Sequence, residues 1–252
     1  MNQRVAPPGR KQPVVWVAGV DGCRGGWFVI LAATSASSDR PQRVIGRRCA
    51  DFHEILAMPE QPAAIAVDMP IGLLDRPAPG GRACDREARK LLGRGRASSV
   101  FTPPTRPGLS ATVYADVPSL NGAGMSKEAF NIAPKIREID EAIAVADQKR
   151  VFEAHPELAF SALSGVPMRH NKKTAAGRRD RVRLLRRRFG SAFQDPVRLR
   201  LEHGAANVAF DDVVDAYVLA LVADRIHRGS AVRLPAAKPP HDRRGLRMEI
   251  WY

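Results

Sequence analysis

The sequence VVWVAGVDGCRGGWFVILA, at residues 14–32, decides the fold. It contains two apolar runs rich in β-branched and aromatic residues, and the glycines Gly22, Gly25 and Gly26 separate them. This pattern predicts a β-hairpin. Asp21 stands at the end of the first run. Because a buried carboxylate without a partner is costly, we expect a metal ion, a cation or hydrogen bonds beside Asp21.

The bulk composition indicates a globular protein with an anionic partner. The chain has 252 residues, is 44% hydrophobic and carries a formal net charge of +14. That length and that apolar content suit one α/β domain with its own core, over residues 14–252. Residues 1–13 are polar, basic and proline-bearing, which predicts a disordered tail. The positive charge favours nucleic acid as a partner, although a general preference for arginine would give the same excess.

Cysteine usage and the lack of long apolar runs bear on the compartment. The three cysteines, Cys23, Cys49 and Cys84, are odd in number and far apart, which disfavours a disulfide framework or a structural zinc site. No apolar run reaches membrane-spanning length, and the first residues lack the apolar core of a secretory signal. We therefore expect a cytoplasmic protein without a membrane partner.

The order of the remaining segments predicts a mixed sheet. Arg43–Cys49 has the pattern of a third strand, Ala63–Val67 that of a strand buried on both faces, and Arg150–Ala154 that of a short fifth strand. Helical patterns occupy Phe52–Met58, Arg82–Leu92, Ser126–Asp147, Glu157–Leu163, Thr174–Phe189 and Asp211–His227. We expect the regular part of the third of these helices to begin at Pro134. The sequence thus predicts a five-stranded α/β sheet flanked by helices.

A long irregular segment interrupts this order. Gly93–Gly108 is rich in glycine, proline and arginine, and the same irregular character continues to about Gly124. Segments of this length without regular structure are uncommon in compact domains and are usually functional or disordered. We therefore predict a long insertion between two helices.

Acidic side chains stand where predicted elements begin or end. Asp21 and Asp68 each end a buried strand, Glu153 lies in the fifth strand, and Asp212 and Asp215 open the last helix. The last two are three residues apart and share one helix face. Like charges placed together are tolerated best around a cation, and carboxylate oxygens suit Mg²⁺ or Mn²⁺.

Each of these acids also has a structural interpretation. Asp211 or Asp212 is a suitable helix cap, because acids favour helix starts. Asp68 is placed to accept hydrogen bonds from the Pro-Ile-Gly turn that follows it, and Asp21 is a plausible turn residue. Both interpretations stay open at this point.

Basic and hydroxyl groups supply candidates for binding a substrate phosphate. Arginine binds phosphate through planar bidentate contacts, and the amides at a helix start favour anions. The helix Thr174–Phe189 carries seven arginines, which suit a nucleic-acid backbone or simply a solvated face. The candidates are Arg24, Arg82, Arg86, Ser98, Ser99, Lys172 and Lys173.

Eight motifs together resemble a known family. They are VDGCRGGWFV, AVDMPIGL, RACDREARKLLG, SSVFTPP, FNIAPKIREID, VFEAHPELAF, NKKTAAGRRDRVRLL and FDDVVDAYVLA. In this order, over Val17–Tyr252, they resemble the bacterial and archaeal family called domain of unknown function 429. The resemblance implies a ribonuclease H-like fold and a nuclease activity that is itself predicted for the family.

The resemblance also implies roles for individual residues. Asp21 and Asp68 match the first two metal-binding acids of the wider superfamily, and Asp212 and Asp215 resemble the late-helix pair of Holliday-junction resolvases. Many relatives have Glu where this chain has Asp68. Glu153 and His155 belong to the smaller family's own pattern and match no general ribonuclease H position.

These implications give a mechanism as an expectation. Two Mg²⁺ or Mn²⁺ ions, held by Asp21, Asp68, Asp212 and Asp215, would drive phosphodiester hydrolysis in DNA or RNA. Glu153 and His155 are further catalytic candidates. His155 would orient water or protonate the leaving group, or it is simply a hydrogen-bonded residue at the end of a strand.

Two other functions stay open. One is a nucleotide-binding phosphotransferase or ATPase of the actin-like type, because the Asp-Gly hairpin resembles a phosphate loop of that group. The sequence offers no second glycine-rich phosphate loop, which counts against this alternative. The other is a nucleic-acid-binding protein without catalysis, in which the acids are structural.

Overall fold

The N-terminal half of the sheet is a three-stranded antiparallel meander. The computed structural model describes residues 14–252, so the tail expected over residues 1–13 lies outside the described part. Strands β1 (Val15–Cys23) and β2 (Gly26–Ser35) form the predicted hairpin. Strand β3 (Ser38–Cys49) begins earlier than the sequence indicated, because a two-residue turn joins it directly to β2.

Two parallel strands complete the sheet. Strand β4 (Ala64–Val67) pairs parallel to β1, and β5 (Val151–Glu153) pairs parallel to β4. The strand order is β3-β2-β1-β4-β5, which confirms the mixed five-stranded sheet. Strands β6 (Arg233–Leu234) and β7 (Ile250–Trp251) form a separate antiparallel pair.

Helices flank the sheet. They are α1 (Phe52–Leu56), α2 (Ala83–Leu92), α3 (Val117–Asn121), α4 (Lys127–Ala142), α5 (Pro156–Ser164), α6 (Ala175–Phe189), α7 (Pro196–Glu202) and α8 (Phe210–His227). The expected start of the regular part of α4 at Pro134 is wrong. The hydroxyl of Ser126 caps the helix by accepting a hydrogen bond from the amide of Ala129, and Pro134 lies inside the helix. Between α2 and α4 the chain forms only short 3₁₀ turns and α3. None of the helices within residues 14–252 is long and apolar enough to span a bilayer.

Both faces of the sheet are covered by apolar layers. Phe28 and Ile30 on one face pack in the layer that contains most of α8. Trp27, Val29 and Leu31 on the other face pack in the layer built from α1 and α4. Coverage on both faces explains why β1, β2 and β4 are almost continuously apolar.

The contact between β1 and α8 is made by backbone. A Cβ atom at Gly19 would lie 2.1 Å from both the carbonyl oxygen of Ala216 and the amide nitrogen of Ala220. Only glycine leaves room for this approach. Gly19 precedes Asp21 by two residues, and Ala216 directly follows Asp215. The glycine therefore brings two of the predicted site acids together.

This contact predicts a severe effect of Gly19→Ala. The added methyl group meets backbone atoms that cannot turn away, so we expect a loss of at least about 3 kcal/mol in the free energy of unfolding. Urea unfolding followed by circular dichroism measures it. Gly46→Ala is the matched control, because a Cβ there meets mainly the side-chain ends of Leu199 and Phe28. Equal losses for the two variants would contradict the proposed backbone contact.

Candidate functional site

Four aspartates converge at one edge of the sheet. Asp21 lies near the end of β1, Asp68 directly follows β4, and Asp212 and Asp215 lie in the first two turns of α8. The amide of Asp68 donates to the carbonyl of Val20 at 3.0 Å, which places Asp21 and Asp68 on neighbouring strand ends. Burial raises the pKa of Asp21, and the charges of Asp68, Asp215 and Asp212 raise it further. Asp21, Asp68 and Asp212 also line the same cavity, which places these three side chains together.

A lysine lies among these carboxylates. The Nζ atom of Lys172 donates to Oδ2 of Asp215 at 2.7 Å, and Asp215 is 1% exposed. Burial alone would lower the pKa of Lys172, but the charges of Asp215, Asp21 and Asp68 raise it. The sequence placed Lys172 among the substrate-binding residues. In the structure its ammonium is a counter-ion of the acid cluster, and the substrate-binding role stays a prediction.

The donor chemistry of the cluster fits a hard divalent cation. Burial raises the pKa of Asp68 as well, and within residues 14–252 no side-chain or backbone hydrogen bond stabilises the carboxylates of Asp21 and Asp68. Such oxygens remain available as ligands for Mg²⁺ or Mn²⁺. The geometry fits a metal ion less well than the chemistry does. Across the described residues, no three His, Cys, Asp or Glu side chains form a group arranged to hold a metal ion.

Asp212 is partly engaged elsewhere. The N-cap residue of α8 is Ala209, so the expectation that Asp211 or Asp212 is the N-cap is wrong; Oδ2 of Asp212, in the first turn, accepts the amide hydrogen of Ala209 at 2.7 Å. Because the carboxylate has a second oxygen, this bond does not remove it from the cluster. Asp212 thus stabilises the first turn of α8 and also contributes negative charge to the site.

The acid cluster opens into two neighbouring cavities. One, of about 550 Å³, has Asp21, Asp68 and Asp212 in its wall. The other, of about 430 Å³, shares Asp68 and His155 with the first and contains Lys172. Basic residues line the first cavity as well, namely Arg24, Lys135 and Arg200. The predicted candidates Ser98, Ser99 and Lys173 line the second.

His155 connects the segment between α2 and α4 to the acids. Its Nε2 atom lies 3.0 Å from the carbonyl oxygen of Ser99, and a carbonyl only accepts, so this nitrogen carries the proton of the bond. Its Nδ1 atom is buried and has no partner among the described residues. Burial has the largest effect on Asp68 and raises its pKa. The charge of His155 has the second largest effect and lowers that pKa. His155 therefore lies beside Asp68, and its catalytic role stays a prediction.

Comparison with known proteins identifies the family. A family model described as "Protein of unknown function (DUF429)" matches residues 19–239. The chain belongs to this family. No curated protein and no solved structure matches it. The matched range includes all four aspartates, His155 and Lys172. Because the family description names no activity, the function of this DUF429 protein has to be argued from its geometry.

Two predicted functional residues of the DUF429 chain instead neutralise each other. Arg82 and Glu153 are 3% and 5% exposed, and their side chains form two hydrogen bonds, at 2.7 and 2.5 Å. Arg82 also pairs with buried Asp85 at 2.7 Å, and Glu153 accepts the amide of Ile71 at 2.7 Å. Buried charges persist when they are paired in this way. These contacts give Glu153 and Arg82 a structural role, and the catalytic and phosphate-binding roles expected from the sequence stay predictions.

The remaining candidates are spread around the site. Arg24 is exposed and makes no ion pair or side-chain hydrogen bond with any residue in 14–252. Arg86 donates to the carbonyl of Gly81 and so fastens the loop before α2, outside the two cavities at the acids. Lys173 is exposed at the wall of the second cavity.

Lys135 is a site residue that the sequence analysis missed. Its Nζ atom donates to the carbonyl of Gly26 and lies 4.3 Å from the centre of the Trp27 ring. A signal was present, because Lys135 follows Ile132 by three residues and precedes Ile139 by four. A lysine on the apolar face of a helix indicates a partly buried cation.

The buried pair predicts a strong effect of Arg82→Met on stability. Removing the guanidinium leaves the carboxylates of Asp85 and Glu153 buried without a cation, and we expect a loss of about 3–5 kcal/mol in the free energy of unfolding. Urea unfolding checks this. Arg94→Met is the control, since Arg94 is exposed. A loss below about 1 kcal/mol, the range typical of exposed pairs, would contradict the structural role.

Proposed function

We propose that this DUF429 protein has a ribonuclease H-like fold and hydrolyses phosphodiester bonds of nucleic acid with the help of Mg²⁺ or Mn²⁺. The observation that carries the proposal is the convergence of four aspartates, three of which, Asp21, Asp68 and Asp212, line an open cavity. The strand order β3-β2-β1-β4-β5, with an antiparallel meander followed by parallel strands, supports the fold part of the proposal.

Electrostatics supports a divalent ion at the aspartates. One ammonium faces several carboxylates, and repulsion among them raises the pKa of Asp21. Asp21 and Asp68 would hold the ion, with Asp212 and Asp215 completing its surroundings. When bound, such an ion supplies an activated water and neutralises charge on the leaving oxygen.

His155 has a supporting part in this proposal. Because Nε2–H is engaged by Ser99, the neutral ring has its lone pair on Nδ1, which has no partner within residues 14–252. His155 and Asp68 line the same two cavities, and the positive charge of the protonated ring lowers the pKa of Asp68, so the ring would favour the ionised carboxylate that an ion needs. The bond to Ser99 fixes the ring and so the direction of the Nδ1 lone pair.

The basic residues in the wall of the first cavity, here called the basic rim, support nucleic acid as the substrate. Arg24, Lys135 and Arg200 line the same cavity as the acids, and the whole chain carries a net charge of +14. Such an excess attracts polyanions, and phosphate contacts position a nucleic acid without reading its sequence. The rim would hold the backbone while the acids and the ion act on one linkage.

A specific observation favours a second candidate, a nucleic-acid-binding protein without catalysis. Lys172 already neutralises Asp215, and the described residues contain no complete group of metal ligands. In that case the aspartates would be structural, and the basic rim alone would carry the function.

The variant Asp21→Asn separates the two candidates. For the nuclease we expect wild type to bind Mn²⁺ by titration calorimetry and to cleave at least one substrate among DNA, RNA, hybrid and branched duplexes. The variant should stay folded by circular dichroism and lose at least about 100-fold in metal affinity and cleavage rate. Asp39→Asn, at an exposed strand position, is the control and should match wild type. Wild type that binds no ion and cuts nothing would eliminate the nuclease.

The proposed role of the basic rim predicts how nucleic-acid binding depends on salt. Arg24→Ala should weaken nucleic-acid binding at low salt and reduce the slope of log K against log salt by about 1, because one phosphate contact is lost. Fluorescence anisotropy at several KCl concentrations measures the slope. Arg94→Ala, which removes an equally exposed arginine outside the two cavities, is the control. Identical slopes for wild type and Arg24→Ala would remove Arg24 from the binding surface.

A further inference from the structure

Lys172 occupies a position that a bound cation would take. Its ammonium is 2.7 Å from an oxygen of Asp215, an aspartate that is 1% exposed. The charges of Asp21 and Asp68 also act on it. In the described structure, the positive charge of the acid cluster is thus supplied by the chain itself.

The loop that carries Lys172 is held in place. A Cβ atom at Gly177 would lie 2.0 Å from the carbonyl oxygen of Asn171, so loop and helix α6 touch through their backbones. The hydroxyl of Thr174 donates to the same carbonyl at 2.8 Å. The buried guanidinium of Arg181 donates to the carbonyl of His170 at 3.1 Å. These contacts fix where the lysine stem begins.

The side chain itself has room to move. It is 38% exposed, and it lines the cavity of about 430 Å³ together with Arg96, Ser98 and Lys173. A rotation about the side-chain bonds therefore transfers the ammonium from Asp215 into this cavity without moving the backbone. The wall of this cavity also contains the carboxylates of Asp68, Glu128 and Glu157, so an ammonium that turns into it has acidic groups nearby.

We propose that Lys172 is a built-in counter-cation, which a divalent metal ion must displace from Asp215, and that the released ammonium then turns into the adjoining cavity. This inference rests on the proposed metal-dependent function. An ion bound by the aspartates and an ammonium on the same carboxylate repel each other, so they compete for Asp215. Lys172 would hold the acids together without metal and would weaken the affinity for metal.

Titration calorimetry with Mn²⁺ alone tests the competition. The proteins are wild type, Lys172→Gln, Lys173→Gln as the neighbouring control and Asp21→Asn. We expect Lys172→Gln to bind Mn²⁺ about tenfold more tightly than wild type, a difference of about 1.4 kcal/mol. Lys173→Gln should bind as wild type does. In thermal unfolding, Mn²⁺ should stabilise Lys172→Gln more than wild type, because tighter binding to the folded state gives a larger shift.

The outcomes distinguish this inference from the proposed function. Equal or weaker Mn²⁺ binding by Lys172→Gln, with binding by wild type that Asp21→Asn abolishes, overturns the role of Lys172 and leaves the metal site standing. Binding by neither wild type nor Lys172→Gln overturns both.

A second measurement uses the wild-type protein and so does not depend on the variant folding. Acetic anhydride labels free amines, and an ammonium held in an ion pair reacts slowly. Mass spectrometry of labelled peptides should show that Mn²⁺ increases labelling of Lys172 severalfold and leaves Lys173 unchanged. Unchanged or reduced labelling of Lys172 in protein that binds Mn²⁺ would overturn the displacement.

Discussion

The close packing of α8 on Gly19 is the constraint on which the site depends. Backbone meets backbone there, so the position of the helix relative to β1 is set to within a fraction of an ångström. Asp215 lies one residue before this contact on the helix, and Asp21 lies two residues after it on the strand. The parallel pairing of β4 with β1 then adds Asp68 at the neighbouring strand end. Main-chain packing, and not the reach of flexible side chains, gathers these acids.

Two of the buried charge clusters within residues 14–252 differ in how completely their charges are compensated. Around Arg82, two carboxylates and two backbone carbonyls surround one guanidinium, so nearly every donor has an acceptor. Around Asp21, several carboxylates share one ammonium, and two of them receive no hydrogen bond from residues 14–252. A saturated cluster stabilises a fold, whereas an undersaturated one has capacity left for a ligand. This difference in compensation is what separates the candidate site from the structural pair.

Local patterns were enough to predict the hairpin, the buried strand β4 and the strand-end positions of Asp21 and Asp68. They were not enough for Glu153, because a buried acid in a strand has the same sequence signature whether or not a distant arginine satisfies it. Its partner, Arg82, is 71 positions away in the chain. The ion pair between Lys172 and Asp215 could not be predicted for a similar reason. The direction of the Lys172 side chain depends on how the preceding loop packs against Gly177, and no local pattern encodes that contact.

The arrangement of charge links the binding of the two ligands that the proposed function requires, a nucleic acid and a divalent metal ion. Lys135 and Arg200 donate to the backbone carbonyls of Gly26 and Val208, so their positive charges are held at the cavity wall. Aspartates lie in the wall of the same cavity, and a phosphodiester brought against them would meet repulsion. A cation at the aspartates removes that repulsion, whether it is a metal ion or the ammonium of Lys172. Because each ligand lowers the electrostatic cost of the other, a nucleic acid and a divalent ion would bind this site cooperatively.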